Sequence, residues 1–242
     1  MRKAYADLHL RLNAEEPDKA SRMIEKASKL GYSLVATPTE PDSEMQLARL
    51  RKLCKEKSID SVSRIDLSPR SPDDLLHALR KFRRSFELIG VMCDSKPVAR
   101  QAAKDRRVDL LSFISHDYGG GFDLADAELA KSGLASLEVD VCGLLLLEGP
   151  ARSRLLSGLQ REVRIARAFE VPVVLSSGAS EEWMMRKPRE MAALSSLFDV
   201  STEEALKAVS NCPIEMVERN RRKLDSRFVA PGIRVVRRGK NC

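Results

Sequence analysis

The sequence predicts an α/β fold, a closed barrel of about seven parallel strands with extra C-terminal helices. Three observations predict it. Seven short runs of β-branched and aliphatic residues recur up to Ser176, amphipathic segments separate them, and after Ser176 the pattern turns to helix alone. Alternation of β and α implies a parallel sheet covered by helices. Seven such units in about 175 residues favour closure into a barrel over an open, doubly wound sheet. No G-x-G-x-x-G follows the first strand, which weakens a dinucleotide-binding reading.

The expected strands are Tyr5–Leu10, Ser33–Thr37, Ile59–Leu67, Phe86–Cys93, Val108–Ile114, Leu134–Val141 and Val171–Ser176. Between the first two, Pro17–Leu30 places Ala20, Met23, Ile24, Ala27 and Leu30 on one face, with Gly31 as a stop. The other expected helices are Ser43–Lys57, Pro72–Arg84, Lys96–Arg106, Leu124–Lys131 and Ala151–Glu170. Val171–Leu175 reads as a buried parallel strand that ends abruptly in Ser176, Ser177 and Gly178, with Ser180 placed to cap the next helix. Pro188 suits a first helical turn, Ser201-Thr202-Glu203-Glu204 reads as a capping box, and Pro213 opens a last helix. Residues 1–228 are expected to form one barrel domain with a helical cap, and 229–242 an extended basic tail.

Composition narrows the class. The 242 residues are 43% hydrophobic, enough for a substantial core, and no apolar run reaches the length of a membrane span. A charged start without an apolar signal core points to a cytoplasmic protein with no membrane partner. Cys54, Cys93, Cys142, Cys212 and Cys242 are odd in number and contain no C-x-x-C, which argues against a disulfide framework or a thiolate zinc site. They read as small buried hydrophobes. Net charge is +7; the segment from Arg219 to Lys240 holds nine basic residues against Asp225 alone, so it carries +8 and the rest of the chain sums to −1. Such a tail suits a polyanion, nucleic acid above all, although charge runs also serve as solvated faces.

Chemistry would sit at the C-terminal ends of the strands, where ligands bind in this class of fold. In A-D-L-H-L-R, alternation places Tyr5, Asp7, His9 and Arg11 on one side and Ala6, Leu8 and Leu10 on the other. Glu138 and Asp140 share a strand face and either act as paired carboxylates or stand as interior acids neutralised by Arg11 or Arg64. With Ser176 and Ser177 these residues make the expected polar cluster of the mouth. His116 could join it, whereas His77 lies on a helix and reads as structural or exposed. Asp66 completes a possible metal set, but imidazole ligands are few. The Asp117–Gly121 loop lacks the Lys-Ser/Thr that follows a phosphate-cradling loop, and S-S-G-A-S is not a nucleophile elbow. Basic residues recur at helical spacing in two stripes, Arg100–Lys104–Arg107 and Arg154–Arg161–Arg164. Arg219 and Arg222 align on the last helix, where Glu215 partly neutralises Arg219. Aromatic content of 5% makes base-stacking platforms a poor expectation, so RNA would be read through phosphates and shape.

The opening A-D-L-H-L-R resembles the start of the polymerase-and-histidinol-phosphatase (PHP) family, whose D-x-H-x-H supplies metal ligands. Here Arg11 replaces the second histidine, and an arginine cannot ligate a metal. Taken in order with V-D-L-L-S-F, F-D-L-A-D-A-E-L-A, L-E-V-D, R-E-V-R-I-A-R-A-F-E-V-P-V-V-L-S-S-G-A, M-R-K-P-R-E-M-A-A-L and P-I-E-M-V-E-R-N-R-R-K-L, it makes nearly the whole chain resemble the thirty-kilodalton ribonuclease P protein family, called component 3 in archaea. The resemblance implies a TIM-like, PHP-related barrel and a subunit of an endoribonuclease that is itself non-catalytic. The family's holoenzyme removes the 5′ leader of precursor tRNA. Its RNA carries the magnesium-dependent chemistry, so no cofactor or metal is expected on the protein. The implied partners are the ribonuclease P RNA, precursor tRNA and the ferredoxin-like component 2 in a two-plus-two heterotetramer. Implied RNA-contacting positions are Arg100, Arg107, Lys131, Arg186 and Lys207; the basic stripes and C-terminal helices add Lys104, Arg189, Arg219 and Arg222. Two other readings compete: a PHP-like phosphoesterase using Asp7, His9, His116 and Glu138 around a divalent metal, and a barrel serving only as an assembly platform.

Overall fold

The computed structural model describes residues 4–13, 15–41, 43–113, 121–230 and 233–235. His116 and most of the glycine loop lie outside these residues, as does the chain beyond Val235. Seven strands pair in parallel in sequence order: β1 (Ala6–Asp7), β2 (Leu34–Pro38), β3 (Asp60–Leu67), β4 (Leu88–Met92), β5 (Leu110–Ser112), β6 (Ser136–Asp140) and β7 (Val173–Ser176). Helices α1 (Pro17–Leu30), α2 (Glu44–Glu56), α3 (Pro72–Phe82), α4 (Lys96–Lys104), α5 (Leu124–Ser132), α6 (Cys142–Leu146) and α7 (Gly149–Ala168) fill the crossovers. Then follow α8 (Pro188–Leu194), α9 (Thr202–Ala208) and α10 (Asn211–Leu224), with 3₁₀ turns at Glu182–Met184 and Ser195–Phe198. The strand count and alternation are as expected, and the sheet curls into a nearly closed, seven-stranded TIM-like barrel without a β1–β7 ladder among the described residues.

Closure is asymmetric. β1 is only two residues long, because the chain bends at Leu8 instead of continuing to Leu10 as expected. Side chains and loops stitch the seam to β7: the Ser177 amide donates to Asp7 Oδ1 at 3.0 Å, and the Arg11 amide donates to the Ala179 carbonyl at 2.9 Å. The bend also breaks the expected alternation. Leu8 packs in the barrel interior with Leu34, Ala36, Val62, Leu88, Leu110 and Val174, while Leu10 packs outside against α1.

The end opposite the mouth is plugged by α10, which inserts Met216 and Val217 into that interior layer. The last helix thus seals the base of the barrel and does not cap its mouth. It begins at Asn211, so Pro213 falls in its first turn and not at its start. Ser201 and Glu204 form the expected capping box of α9. Ser180 is not a helix cap: a 3₁₀ turn follows, and the Ser180 hydroxyl lies 3.6 Å from Met184 Sδ. Lys104 ends α4, so Arg107 sits in the turn beyond it and the expected Arg100–Lys104–Arg107 helical face is broken. The expected extended tail begins instead as an antiparallel hairpin, β8 (Phe228–Ala230) with β9 (Ile233–Arg234). Cys54 and Cys93 are buried as expected, whereas Cys142 and Cys212 are half-buried; all four are free thiols.

Candidate functional site

Strand alternation sends Arg64 and Asp66 of β3, Ser112 of β5, Glu138 and Asp140 of β6, and Ser176 of β7 into the barrel above its apolar layer. At the centre lies Arg64, wholly buried. Its Nη1 and Nη2 each donate to a Glu138 carboxylate oxygen at 2.6 Å, Nη1 also reaches the Leu8 carbonyl at 2.6 Å, and Nε donates to Asp66 Oδ1 at 2.7 Å. The hydroxyls of Ser112 and Ser176 donate to the remaining positions of Glu138 at 2.7 and 2.6 Å. Burial alone would raise the Glu138 pKa, but the adjacent guanidinium outweighs it and holds the carboxyl well below its ordinary range. Burial likewise works against the charge on Arg64, and Glu138 and Asp66 overcome it, raising its pKa. The approach of Arg64 and Asp66 needs Gly90, because a Cβ there would collide with the Asp66 carboxylate.

Above this pair lies the mouth. His9 is nearly buried between two carboxylates, with Nε2 3.5 Å from Asp66 Oδ2 and Nδ1 3.3 Å from Asp140 Oδ2. The Nδ1 contact lacks hydrogen-bond geometry, so that nitrogen has no hydrogen-bond partner. Arg11, about half exposed, donates through Nη2 to Asp140 at 3.1 Å and through Nε to His9 Nε2 at 3.3 Å. Asp7 does not line the mouth as expected but turns into the seam, where Oδ1 accepts the Ser177 and His9 amides and burial raises its pKa. Ser177 caps the Ala179 amide through its hydroxyl at 3.1 Å. Gly178, at φ +61°, is fixed by the same corner, since a Cβ would strike Asp140.

Interior acids are thus neutralised by the two arginines considered in the sequence: Arg64 holds Glu138, and Arg11 holds Asp140. This donor set does not suit a divalent cation. The position where the Glu138 and Asp66 carboxylates converge already holds a guanidinium, whose charge would repel a second cation. Among the described residues, no cluster of three or more His, Cys, Asp or Glu is placed to hold a metal. His77 is exposed on α3, as expected.

The expected RNA-contacting residues scatter over the surface. Arg100 binds Asp123 at 2.8 Å and also Asp126, which ties α4 to the N-terminus of α5. Arg107 is clasped by Asp105 at 2.9 and 2.7 Å. Arg219 reaches Asp109 at 2.9 Å, so its partner is Asp109 and not Glu215. Arg186 donates to the Trp183 carbonyl at 2.7 Å. Lys131 and Lys207 are exposed, with Glu170 at 3.8 Å and Glu203 at 2.9 Å respectively. Lys104, Arg189 and Arg222 are exposed, as are Arg154, Arg161 and Arg164 along α7. The sequence reading passed over Arg83, Arg84, Arg106 and Lys223 as a group; they come together only through the fold.

A family model described as RNase P subunit p30 matches residues 4–225. Ribonuclease P protein component 3 of Methanosarcina barkeri (strain Fusaro) is 31% identical over 195 residues, 81% of each chain. That of Methanococcoides burtonii is 24% identical over 233 residues, 96% of this chain and 94% of its own. A chain from a cryo-EM structure of archaeal ribonuclease P with mature tRNA superposes with a TM-score of 0.82 at 21% identity, covering 97% of this chain and 99% of that one. With its barrel, its seam and its C-terminal helices all inside the matched region, the chain belongs to the RNase P subunit p30 family and is a protein subunit of ribonuclease P.

Proposed function

We propose that this chain is a non-catalytic subunit that supports the catalytic RNA of ribonuclease P while precursor tRNA loses its 5′ leader. Magnesium serves the RNA, not the barrel. The observation that carries the reading is the Arg64–Glu138 pair: the interior acid that a barrel hydrolase would use is already bound by an internal cation. The subunit pairs with component 2 in a two-plus-two assembly, and the exposed cations of its surface neutralise phosphates of the RNA. No helix among the described residues is long and apolar enough to cross a membrane.

Reconstitution tests this directly. Cleavage of precursor tRNA by the RNA with component 2 is scored across a magnesium titration, with and without this chain. The expected result is a lower magnesium requirement when the chain is present. An unchanged titration would favour a barrel that serves only as an assembly platform, and hydrolysis of phosphoesters by the chain alone that His9→Ala abolishes would replace this reading with the phosphoesterase.

A further inference from the structure

Around the mouth, Arg11 pairs with Asp140, and Lys96 and Arg100 share Asp123 and Asp126, while Arg70, Arg154 and Arg189 stand exposed on separate segments. At the base, the turns preceding β4, β5 and β6 are drawn against α10. Arg83 donates to Asp109 at 2.5 Å and to the Arg107 carbonyl at 3.0 Å, and Arg219 reaches the Leu134 carbonyl at 3.4 Å. Asp109 is 1% exposed and is shared by Arg83, Arg219 and Asn220, so one buried charge faces two guanidinia. Asp105 is taken by Arg107. Around them Arg84, Arg106, Arg222 and Lys223 are exposed, and among the described residues none of the four has a carboxylate at salt-bridge distance.

The crowding is felt at Lys223. Partial burial lowers its pKa, and Arg219, Arg83 and Arg106 lower it further, with Asp109 opposing. Favourable interaction with the C-terminus of α10 accounts for cations at its last turn. It does not account for Arg84 and Arg106, which stand on other turns. Among the described residues, none of the exposed large hydrophobic residues lies on these turns or on α10 itself, although Val229 and Ile233 are exposed on the hairpin that follows α10. Unmatched cations drawn from two separate turns and a helix end suit a run of phosphates.

We propose that the closed base of the barrel, centred on Arg84, Arg106, Arg222 and Lys223, is the surface that meets RNA, through its phosphates. This rests on the reading that the chain supports an RNA, and it places the contact at the end opposite the one where barrel enzymes act. The test uses the full chain and the ribonuclease P RNA, with affinity measured by fluorescence anisotropy at several salt concentrations. Arg106→Glu with Lys223→Glu is compared with Arg49→Glu plus Lys52→Glu, an equal change of charge on exposed residues of α2. The base variant should bind at least about tenfold more weakly, with a log–log salt slope shallower by about two. The α2 variant should stay within about twofold of wild type. Arg106→Gln with Lys223→Gln, expected to lose part of the affinity at unchanged melting temperature, separates contact loss from misfolding. Equal losses in the base and α2 variants, or wild-type affinity in the base variant, overturn the proposal while leaving the RNA-support reading intact. Wild-type protein that does not bind the RNA overturns both.

Discussion

Arg64 donates four hydrogen bonds inside the barrel, three of them to carboxylates, and it is enclosed on all sides. Such a pair adds little over a well-packed apolar core, but removing one partner leaves an unmatched buried charge. Glu138→Gln is therefore expected to lower stability by about 3–5 kcal/mol in urea unfolding. The pH dependence follows from the lowered pKa of Glu138. Its contribution is present above the ordinary glutamate range and is lost as the pH falls through its depressed folded value. The variant should accordingly lose most stability near neutrality and show a flatter acid limb; an unchanged acid limb would place the stabilising charge elsewhere. The sequence already showed that interior acids would need Arg11 or Arg64, because alternation put them on one face. It misplaced Asp7, because Ala6 and Leu8 fill the barrel interior and alternation sets Asp7 on the opposite face.

At the scale of elements, the barrel is a sheet whose ends are treated differently. The mouth is closed by polar side chains, and the base by the apolar face of α10. Met216→Ala removes a buried side chain at the centre of that plug and should cost about 2–5 kcal/mol, read as a lower urea midpoint. A cost below about 1 kcal/mol would mean that α10 is dispensable to the core. The strands and most helices were legible because each carries its own periodicity and stop signals, such as Gly31 after α1 or the Ser201–Glu204 box. The destination of α10 was not. Its pattern shows that one face is apolar, but not which end of the barrel that face enters.

For the whole molecule, charge is matched over long stretches of chain. The net +7 looked in sequence like a property of the tail, yet pairing redistributes it. Arg219 meets Asp109 across 110 positions, and Arg221 meets Asp60 across 161. Such distant partners leave no local trace, so the sequence could count the cations but not say which remain free. The Arg64–Glu138 bond, 74 positions long, has the same long reach and a consequence for how the chain folds. Arg64 arrives with Asp66 in the first half of the barrel and Glu138 with the second, so the first half alone would keep only one of the two carboxylates that hold Arg64, and the second would have to bury Glu138 without its counter-ion. Fragments 1–93 and 94–242 should each lack a cooperative melting transition and regain one on mixing. A barrel assembled from sequential β–α units is in this way prevented from stopping halfway, and a single ion pair at its axis makes completion of the ring a condition for forming either side.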